Sequence, residues 1–410
     1  MHRNANGSLR EQDGLRGLEE IFAYALNPLL RHIRFGGLTI NTPSGGRIVY
    51  HAAAPGPEAC IYLHRWRAVR RLLLGGDVAF AEAYMNGDWT TPDLTAVIEL
   101  AARNGETLDN AIGGGPVVRG FNRLRHAMRA NTKRGSRRNI EAHYDLGNDF
   151  YELWLDETMT YSSAIYSAGA QETLEEAQAR KIARIGDMLE IEDAESVLEI
   201  GCGWGALGRS LAQRGSHVTG LTLSPSQLEW AQRAAQQEGL ADRLDLRLED
   251  YRDVRGAYDR VVSIEMIEAV GERYWPDYFG SIAQRLKRGG CAVIQAITIA
   301  DDRFDAYRKA ADFIQRYVFP GGMLPSKSSF ARSAADAGLV LVESETFADS
   351  YALTLAEWRR RMLHAWPQIS AQGFDMRFRR LWEYYLCYCE AGFRQRTIDV
   401  GLYKLVHASS

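Results

Sequence analysis

The sequence predicts an α/β fold, with a mostly parallel sheet that has an antiparallel edge and a smaller α+β domain at the N-terminus. In residues 141–410, short apolar runs alternate with helical patterns, as expected for parallel strands joined by helical crossovers. The last two runs flank a long helical insert at 355–396, which favours an antiparallel pair at the sheet edge. The predicted strands are Ser196–Ile200, His217–Leu223, Leu244–Leu248, Asp259–Ile264, Cys291–Ile297, Val340–Phe347 and Leu402–Ala408.

Residues 1–105 form the predicted N-terminal domain. Their pattern mixes helical and strand-like segments, which is typical of a small α+β unit. Helices are predicted at 21–30, 68–74 and 94–102. Strands are predicted at 38–41 and 47–51, separated by the turn Pro43-Ser-Gly-Gly.

The segment 106–140 is a predicted basic linker. It breaks at Gly113-Gly-Gly-Pro, and apolar residues then recur at helical spacing among cations, with no acid between 119 and 138. Such a stretch favours an anionic phosphate surface, either lipid headgroups or nucleic acid; the alternative is a solvated linker helix. The cations are Arg119, Arg123, Arg125, Arg129, Lys133, Arg134, Arg137 and Arg138.

Composition excludes several classes of protein. The chain has 410 residues, of which 46% are hydrophobic and 25% charged, as in ordinary globular proteins. Its five cysteines have no C-x-x-C or zinc spacing, so we expect reduced thiols and no metal site. The first residues are polar, and no apolar run approaches the about 20 residues of a membrane span. We therefore expect a cytoplasmic protein whose membrane contact is peripheral.

A glycine turn follows the first predicted strand of the larger domain. Residues 197–205 read Val-Leu-Glu-Ile-Gly-Cys-Gly-Trp-Gly, and a helical pattern begins at Ala206. A strand, a glycine turn and a helix together present backbone N–H groups to a nucleoside cofactor, and glycines allow its close approach. Gly201, Gly203 and Ala206 also fit a dinucleotide pattern, so the turn alone does not identify the cofactor.

The ends of the next strands decide between cofactors. A dinucleotide site normally has an acid at the end of the second strand, but here that strand ends Gly220-Leu-Thr-Leu-Ser. The third strand ends with Asp250 beside Tyr251, which suits the adenine amino group of S-adenosylmethionine (SAM). The fourth ends with Glu265 and Glu268 at the edge where α/β ligands bind. Together these features predict a Rossmann-like class I methyltransferase sheet.

Further motifs occur in a fixed order from about residue 140 to 405, with a weaker echo at Glu82-Ala-Tyr-Met-Asn-Gly-Asp-Trp. With them the chain resembles the cyclopropane-fatty-acyl-phospholipid synthases. The motifs are His143-Tyr-Asp-Leu-Gly-Asn-Asp-Phe-Tyr, Met159-Thr-Tyr-Ser-Ser-Ala, Asp250-Tyr-Arg-Asp, Glu265-Met-Ile-Glu-Ala-Val-Gly, Tyr317-Val-Phe-Pro-Gly-Gly-Met-Leu-Pro-Ser, Trp366-Pro-Gln-Ile, Trp382-Glu-Tyr-Tyr-Leu and Phe393-Arg-Gln-Arg.

The resemblance implies transfer of a one-carbon unit from SAM to the double bond of an unsaturated acyl chain in phospholipid, at an anionic membrane surface. It also implies an N-terminal domain that helps to dock lipid and a possible homodimer. An alkene has no proton to lose before it attacks, so positioning and water exclusion are the main catalytic contributions. The implied cofactor residues are Tyr161, Ser162, Gly201, Gly203 and Gly205 at the amino-acid end, Thr222 and Gln227 near the ribose, and Asp250 and Tyr251 beside adenine.

By the same resemblance, a bicarbonate ion removes the last proton, and the matching ligand positions are Ser163, Glu268, Gln295, Ile297 and Tyr317. Ser163 and Gln295 replace the Cys and His of the family, and neither can carry positive charge. Bicarbonate would therefore be held less tightly. Three outcomes stay open: a cyclopropane made with bicarbonate, a methyl-branched or methylene product, or Glu268 itself as the base.

Three other functions fit parts of the sequence. One is a SAM-dependent methyltransferase of a soluble small molecule, which the replacements at Ser163 and Gln295 would allow. Another is a nucleic-acid methyltransferase, suggested only by the basic linker; the chain lacks the Asn/Asp-Pro-Pro-aromatic motif after the fourth strand, so no nucleic-acid partner is expected. The third is an inactive lipid-binding module. Lys181, in the helix before the first strand, is interpreted as a solvated charge.

Overall fold

The computed structural model describes residues 2–3, 9–15, 18–105, 107–108, 146–169, 171–309 and 312–408. The eight cations of the basic linker and the start of the His143 motif lie outside these residues. The chain divides into two units, which are described separately below. Unit 1 comprises Met1–Arg125, Ala310–Phe313 and Trp366–Thr397, and unit 2 comprises His126–Lys309, Ile314–Ala365 and Ile398–Ser410.

Unit 1 has the α+β pattern of the predicted N-terminal domain. Its described strands are β1 (His2–Arg3), β2 (Leu9–Asp13), β3 (Phe35–Asn41), β4 (Arg47–His51), β5 (Ala54–Leu63) and β6 (Trp89–Thr90). They lie in the order β1, β2, β4, β3, β5, β6; β3 and β5 are parallel and the other neighbours antiparallel. The first helices are α1 (Leu18–Leu30), α2 (Arg67–Met85) and α3 (Leu94–Arg103).

Unit 2 contains the larger sheet, and its seven described strands confirm the predicted ones to within a few residues. They are β7 (Ser196–Ile200), β8 (His217–Thr222), β9 (Leu244–Leu248), β10 (Tyr258–Ile264), β11 (Leu286–Ile299), β12 (Leu339–Thr346) and β13 (Ile398–His407). Their order is β9, β8, β7, β10, β11, β13, β12. The first five are parallel, and β13 runs antiparallel to both β11 and β12. The predicted antiparallel edge is therefore confirmed.

Both faces of this sheet are buried, which explains why its strands are continuous apolar runs. Leu198 and Val261 pack into the core on one face, whereas their neighbours Val197 and Val262 pack into the core on the other. Because β7 to β11 are parallel, their carboxyl ends all lie at one edge, where the glycine turn and the acids after β9 and β10 are found. This edge is where the candidate site is built.

The remaining helices connect and cover the strands. They are α4 (Asn148–Glu152), α5 (Leu174–Leu189), α6 (Ala206–Gln213), α7 (Pro225–Gln237), α8 (Ile267–Val270), α9 (Trp275–Arg285), α10 (Asp301–Tyr307), α11 (Phe313–Tyr317), α12 (Lys327–Asp336), α13 (Ala348–His364), α14 (Trp366–Ala371) and α15 (Met376–Arg394). A capping box of Thr173 and Glu176 fixes the start of α5. None of the helices within the described residues combines the length and the hydropathy needed to cross a bilayer.

The helical insert predicted at 355–396 divides between the two units. Helix α13 belongs to unit 2, whereas α14 and α15 belong to unit 1. There α15 packs against α2 and α3, and the buried Glu390 accepts a hydrogen bond from Thr95 Oγ1 at 3.1 Å. The structural boundary therefore differs from the predicted limits of 1–105 and 141–410, because periodicity identifies a helix but not the unit it packs against.

Candidate active site

Each of the three glycines after β7 is required for a different structural reason. All have positive φ, at 82°, 54° and 81° for Gly201, Gly203 and Gly205. A Cβ at Gly201 would lie 2.8 Å from Met266 Cγ, and one at Gly205 would lie 3.0 Å from Ala231 Cβ. A Cβ at Gly203 would meet nothing within 4 Å. Gly203 is therefore the turn position whose backbone borders open space, where a ligand can approach.

We expect Gly203→Ala to weaken binding of S-adenosylhomocysteine by about tenfold or more, because its methyl group enters the space beside the turn. Gly239→Ala is the matched control, since Gly239 has φ 70° and also no neighbour within 4 Å. Both variants should lose a similar free energy of unfolding, about 1 kcal/mol, from the left-handed backbone. Calorimetric titration and urea denaturation measure the two effects. Equal binding losses in the two variants would contradict this assignment.

The side chains predicted to lie near the ribose and the adenine of the cofactor are held by hydrogen bonds within the protein. Thr222 Oγ1 donates to Gln227 Oε1 at 2.9 Å, and both side chains are buried. Arg252 donates to both oxygens of Asp250, at 2.8 and 2.6 Å, which holds this carboxylate at the end of β9. The ring of Tyr251 is buried, with its edge toward Tyr278 at a centroid distance of 5.7 Å. Tyr251 is thus largely a core residue.

An aromatic cluster surrounds Tyr161. Its ring lies 5.2 Å from that of Trp358, 5.5 Å from Tyr151 and 5.7 Å from Trp154, between centroids. Tyr151 in turn contacts Trp204 of the glycine turn at 5.2 Å. The cluster therefore brings Tyr161 to the same edge of the sheet as the turn, and its faces suit a cation.

The segment after Tyr161 is tied to helix α5. Lys181 Nζ donates to Ser162 Oγ at 2.8 Å, and Gln178 Nε2 donates to the backbone oxygen of Ser162 at 2.9 Å. Lys181 is only 2% exposed, so its interpretation as a solvated charge is wrong. Burial lowers the pKa of this ammonium to about 8, against the nearby charges of Glu265 and Glu199, which favour the charged form.

Glu265 is the centre of the polar network at the end of β10. Its Oε1 accepts hydrogen bonds from Ser163 N at 2.8 Å and from Gln295 Nε2 at 2.7 Å, and its Oε2 accepts one from the Tyr351 hydroxyl at 2.6 Å. Because a carboxylate only accepts, the amide nitrogen of Gln295 must face it. Burial raises the pKa of Glu265, and these donors and the charge of Lys181 oppose that rise.

No individual role is predicted for Glu265 from the sequence, although the residue opens the motif Glu265-Met-Ile-Glu-Ala-Val-Gly. A second acid three positions before Glu268 was the available signal. The structure adds that Glu265 has φ 49°, a left-handed conformation that is rare outside glycine and that aims this side chain at Ser163 and Gln295.

Glu268 lies beside this network with one carboxylate oxygen in use. Its Oε1 accepts a hydrogen bond from Ile297 N at 2.5 Å. Its Oε2 is buried and, among the described residues, has no hydrogen-bond partner, and the same is true of Gln295 Oε1. Burial, together with the charge of Glu265, raises the pKa of Glu268 to about 8. Glu268 Oε2 and Gln295 Oε1 are therefore two buried oxygens that no described group contacts by a hydrogen bond, and Glu268 keeps its proton up to about pH 8.

Tyr317 ends α11 and is half-buried, with the Arg316 guanidinium 5.5 Å from its ring centroid. The loop that follows it reaches Glu268, because Met323 N donates to the Glu268 backbone oxygen at 2.7 Å. Of the predicted ligand positions, the structure brings Ser163 and Gln295 together at Glu265 and joins Ile297 N to Glu268, which interacts electrostatically with Glu265. A direct role for the Tyr317 hydroxyl stays a prediction.

Comparison with known proteins identifies this arrangement. The family model of mycolic acid cyclopropane synthetase matches residues 131–402. The chain is 40% identical to tuberculostearic acid methyltransferase UfaA1 of Mycobacterium tuberculosis over 375 residues, 88% of this chain and 87% of that protein. It is 34% identical to cyclopropane-fatty-acyl-phospholipid synthase of Escherichia coli K12 over 340 residues, 82% of this chain and 84% of that one.

A solved structure agrees. Mycolic acid cyclopropane synthase CmaA1, complexed with SAH and CTAB, superposes with a TM-score of 0.61 at 29% identity, over 66% of this chain and 97% of that chain. The family match spans the glycine turn, Asp250, Glu265 and Glu268, which are the residues that build the site. The chain therefore belongs to the mycolic acid cyclopropane synthetase family and is a SAM-dependent methyltransferase.

Proposed function

We propose that the protein methylates the double bond of an unsaturated acyl chain in membrane phospholipid and releases a methyl-branched or methylene product instead of a cyclopropane. Two similar proteins are named as a tuberculostearic acid methyltransferase and a cyclopropane-fatty-acyl-phospholipid synthase, which supports a lipid substrate. The observation that carries the choice of product is the position of the Glu265 carboxylate on Ser163 N and Gln295 Nε2.

The residues present do not fit a bound bicarbonate. The donors expected to hold it at Ser163 and Gln295 are used by Glu265, and Ile297 N is used by Glu268. An anion there would meet the carboxylate of Glu265 and the amide oxygen of Gln295, which repel it. We propose that Glu265 replaces bicarbonate as the negative charge of the site.

The residues fit SAM at the glycine turn, because Gly203 leaves space at the backbone and Asp250 is held as an acceptor for an amino group. When bound, SAM supplies an electrophilic methyl group. Attack by the alkene leaves a positive charge on a carbon of the acyl chain. Glu265 and the amide oxygen of Gln295 stabilise that charge in a buried site, where electrostatic interactions are strong.

A proton must then leave the substrate, and we assign Glu268 Oε2 as its acceptor. This oxygen has no other described partner, and the ionised form of Glu268, which predominates above about pH 8, is a stronger base than an ordinary carboxylate. A 1,2-hydride shift moves the positive charge to the carbon that bears the added methyl group, and loss of a proton from that methyl group then gives a methylene group. Loss from a neighbouring chain carbon gives a methyl-branched alkene.

The test uses purified protein, methyl-labelled SAM and vesicles of unsaturated phosphatidylglycerol. We expect acyl chains heavier by one CH₂ unit whose proton NMR spectrum shows olefinic or methylene signals and no ring protons. Cyclopropane signals would contradict the proposed product while leaving the lipid substrate intact. Labelling of soluble small molecules without labelling of vesicle lipids would contradict the substrate.

We also propose that the basic linker docks the protein on anionic headgroups. Replacing Arg123, Arg125 and Arg129 by Gln should weaken binding to anionic vesicles at low salt by roughly 100-fold, because each arginine near the surface contributes about 1 kcal/mol of binding free energy. The matched control replaces three exposed arginines of unit 2 by Gln and should bind nearly normally. Equal affinity of the linker variant and the unmodified protein would rule the proposal out. The control positions are Arg233, Arg288 and Arg332.

A further inference from the structure

The inner face of α5 holds the segment that carries Ser163. Lys181 is buried there, and its Nζ donates to Ser162 Oγ at 2.8 Å. One turn earlier, Gln178 Nε2 donates to the backbone oxygens of Ser162 at 2.9 Å and Thr160 at 3.4 Å. Residues i and i+3 lie on the same face of a helix, so the two side chains act on one short segment.

This segment connects the ammonium to the site carboxylate. Ser162 accepts from Lys181, and the next residue, Ser163, donates its N–H to Glu265 Oε1 at 2.8 Å. The cation Lys181 and the carboxylate Glu265 therefore bind two adjacent residues, Ser162 and Ser163. Glu265 also accepts hydrogen bonds from Tyr351 and Gln295, and it interacts electrostatically with Glu268.

Two more buried acids, Asp156 and Glu199, interact electrostatically with Lys181. Asp156 is 2% exposed and accepts hydrogen bonds from the backbone of Thr158 and Thr160, both at 3.0 Å. Glu199 is 3% exposed, and its Oε2 has no hydrogen-bond partner among the described residues. Both interact electrostatically with Lys181, as Glu265 does. A buried cation among three buried acids lowers the cost of keeping a carboxylate ionised.

We propose that Lys181 is a positioning residue whose buried ammonium keeps Glu265 ionised and holds Ser162 and Ser163 in the arrangement that presents Ser163 N–H to that carboxylate. The proposal rests on the proposed function, in which Glu265 acts as a carboxylate. Without the ammonium, the desolvated Glu265 takes up a proton at a higher pH. The site then loses the negative charge of Glu265 in the acidic part of the pH range, and methyl transfer slows there.

The first test measures the transfer rate against pH in two variants. Lys181→Met removes both charge and donor, whereas Lys181→Gln removes the charge and keeps a donor for Ser162. We expect the acidic limb of the kcat profile to move up by about one pH unit or more in both variants. Lys404→Met is the matched control, because Lys404 is also buried in unit 2 but pairs with Glu190, and its limb should not move. A uniform loss of rate without a shift would indicate a merely structural residue and overturn the proposal.

The second test needs no ligand. A double-mutant cycle of Lys181→Gln and Glu265→Gln, read by urea unfolding at pH 7, should show a coupling of at least tenfold in the unfolding equilibrium constant, or about 1.4 kcal/mol. A coupling below twofold would overturn the proposal. If Glu265→Gln keeps full activity while the coupling is present, the proposed function of Glu265 fails and the pairing with Lys181 stands.

Discussion

Replacing Glu265 by Gln is expected to lower the rate of methyl transfer by roughly 10²- to 10³-fold, the effect typical of removing one preorganised electrostatic group from an active site. Gln has nearly the same size, so we expect the loss to come from the missing negative charge beside the positive charge that develops on the acyl chain. Glu265 holds this position through Ser163 N, Gln295 Nε2 and the Tyr351 hydroxyl.

The measurement is single-turnover transfer from SAM to vesicle lipid, with binding of S-adenosylhomocysteine measured in parallel. Binding should stay within about threefold, because the charge acts on the transition state and not on the neutral product cofactor. Glu229→Gln, on the exposed face of α7, is the control and should transfer at the normal rate. A Glu265→Gln variant with the full rate would contradict the proposed role.

Replacing Glu268 by Gln is expected to stabilise the fold at alkaline pH while it lowers the transfer rate. In the folded protein the pKa of Glu268 is raised to about 8, from an ordinary value of 4.5. Between these two values the folded state binds more protons than the unfolded state, so stability falls as pH rises from about 4.5 to 8. Gln cannot ionise and removes this loss.

The free energy of unfolding of Glu268→Gln should therefore exceed that of the unmodified protein by roughly 2–4 kcal/mol at pH 8, and the two should converge near pH 5. Urea unfolding at both pH values measures the difference. The Gln oxygen can still accept from Ile297 N, so the local backbone contact survives. A variant that is less stable than the unmodified protein at pH 8 would contradict the assigned pKa. Unchanged transfer by that variant would contradict Glu268 as the proton acceptor.

Most of the sheet in unit 2 could be predicted from the sequence. Ser196–Ile200 and Leu244–Leu248 have the predicted limits, because each is an apolar run bounded by turn residues. The sheet is buried on both faces, so its strands stand out as continuous apolar segments. The glycine turn, Asp250 and the acids after β10 could be placed at one edge of the sheet, because each follows the carboxyl end of a parallel strand.

The polar core of the site could not be predicted in the same way. A lysine in an amphipathic helix is usually solvated, and the burial of Lys181 depends on the acids that lie around it in three dimensions. Likewise, the role of Glu265 follows from its left-handed backbone and from Gln295, thirty residues later on β11. The division of the insert between α13 and α15 has the same origin, because tertiary packing selects the partner of a helix.

The most direct test of Glu265 as a built-in replacement for bicarbonate is the transfer rate of Glu265→Gly with and without added bicarbonate. Glycine accepts the φ of 49° at this position and leaves Ser163 N and Gln295 Nε2 unoccupied. We expect an impaired variant whose rate rises about tenfold or more with bicarbonate, while the unmodified protein does not respond. Stimulation of the unmodified protein by bicarbonate, or full activity of the variant without it, would contradict the account.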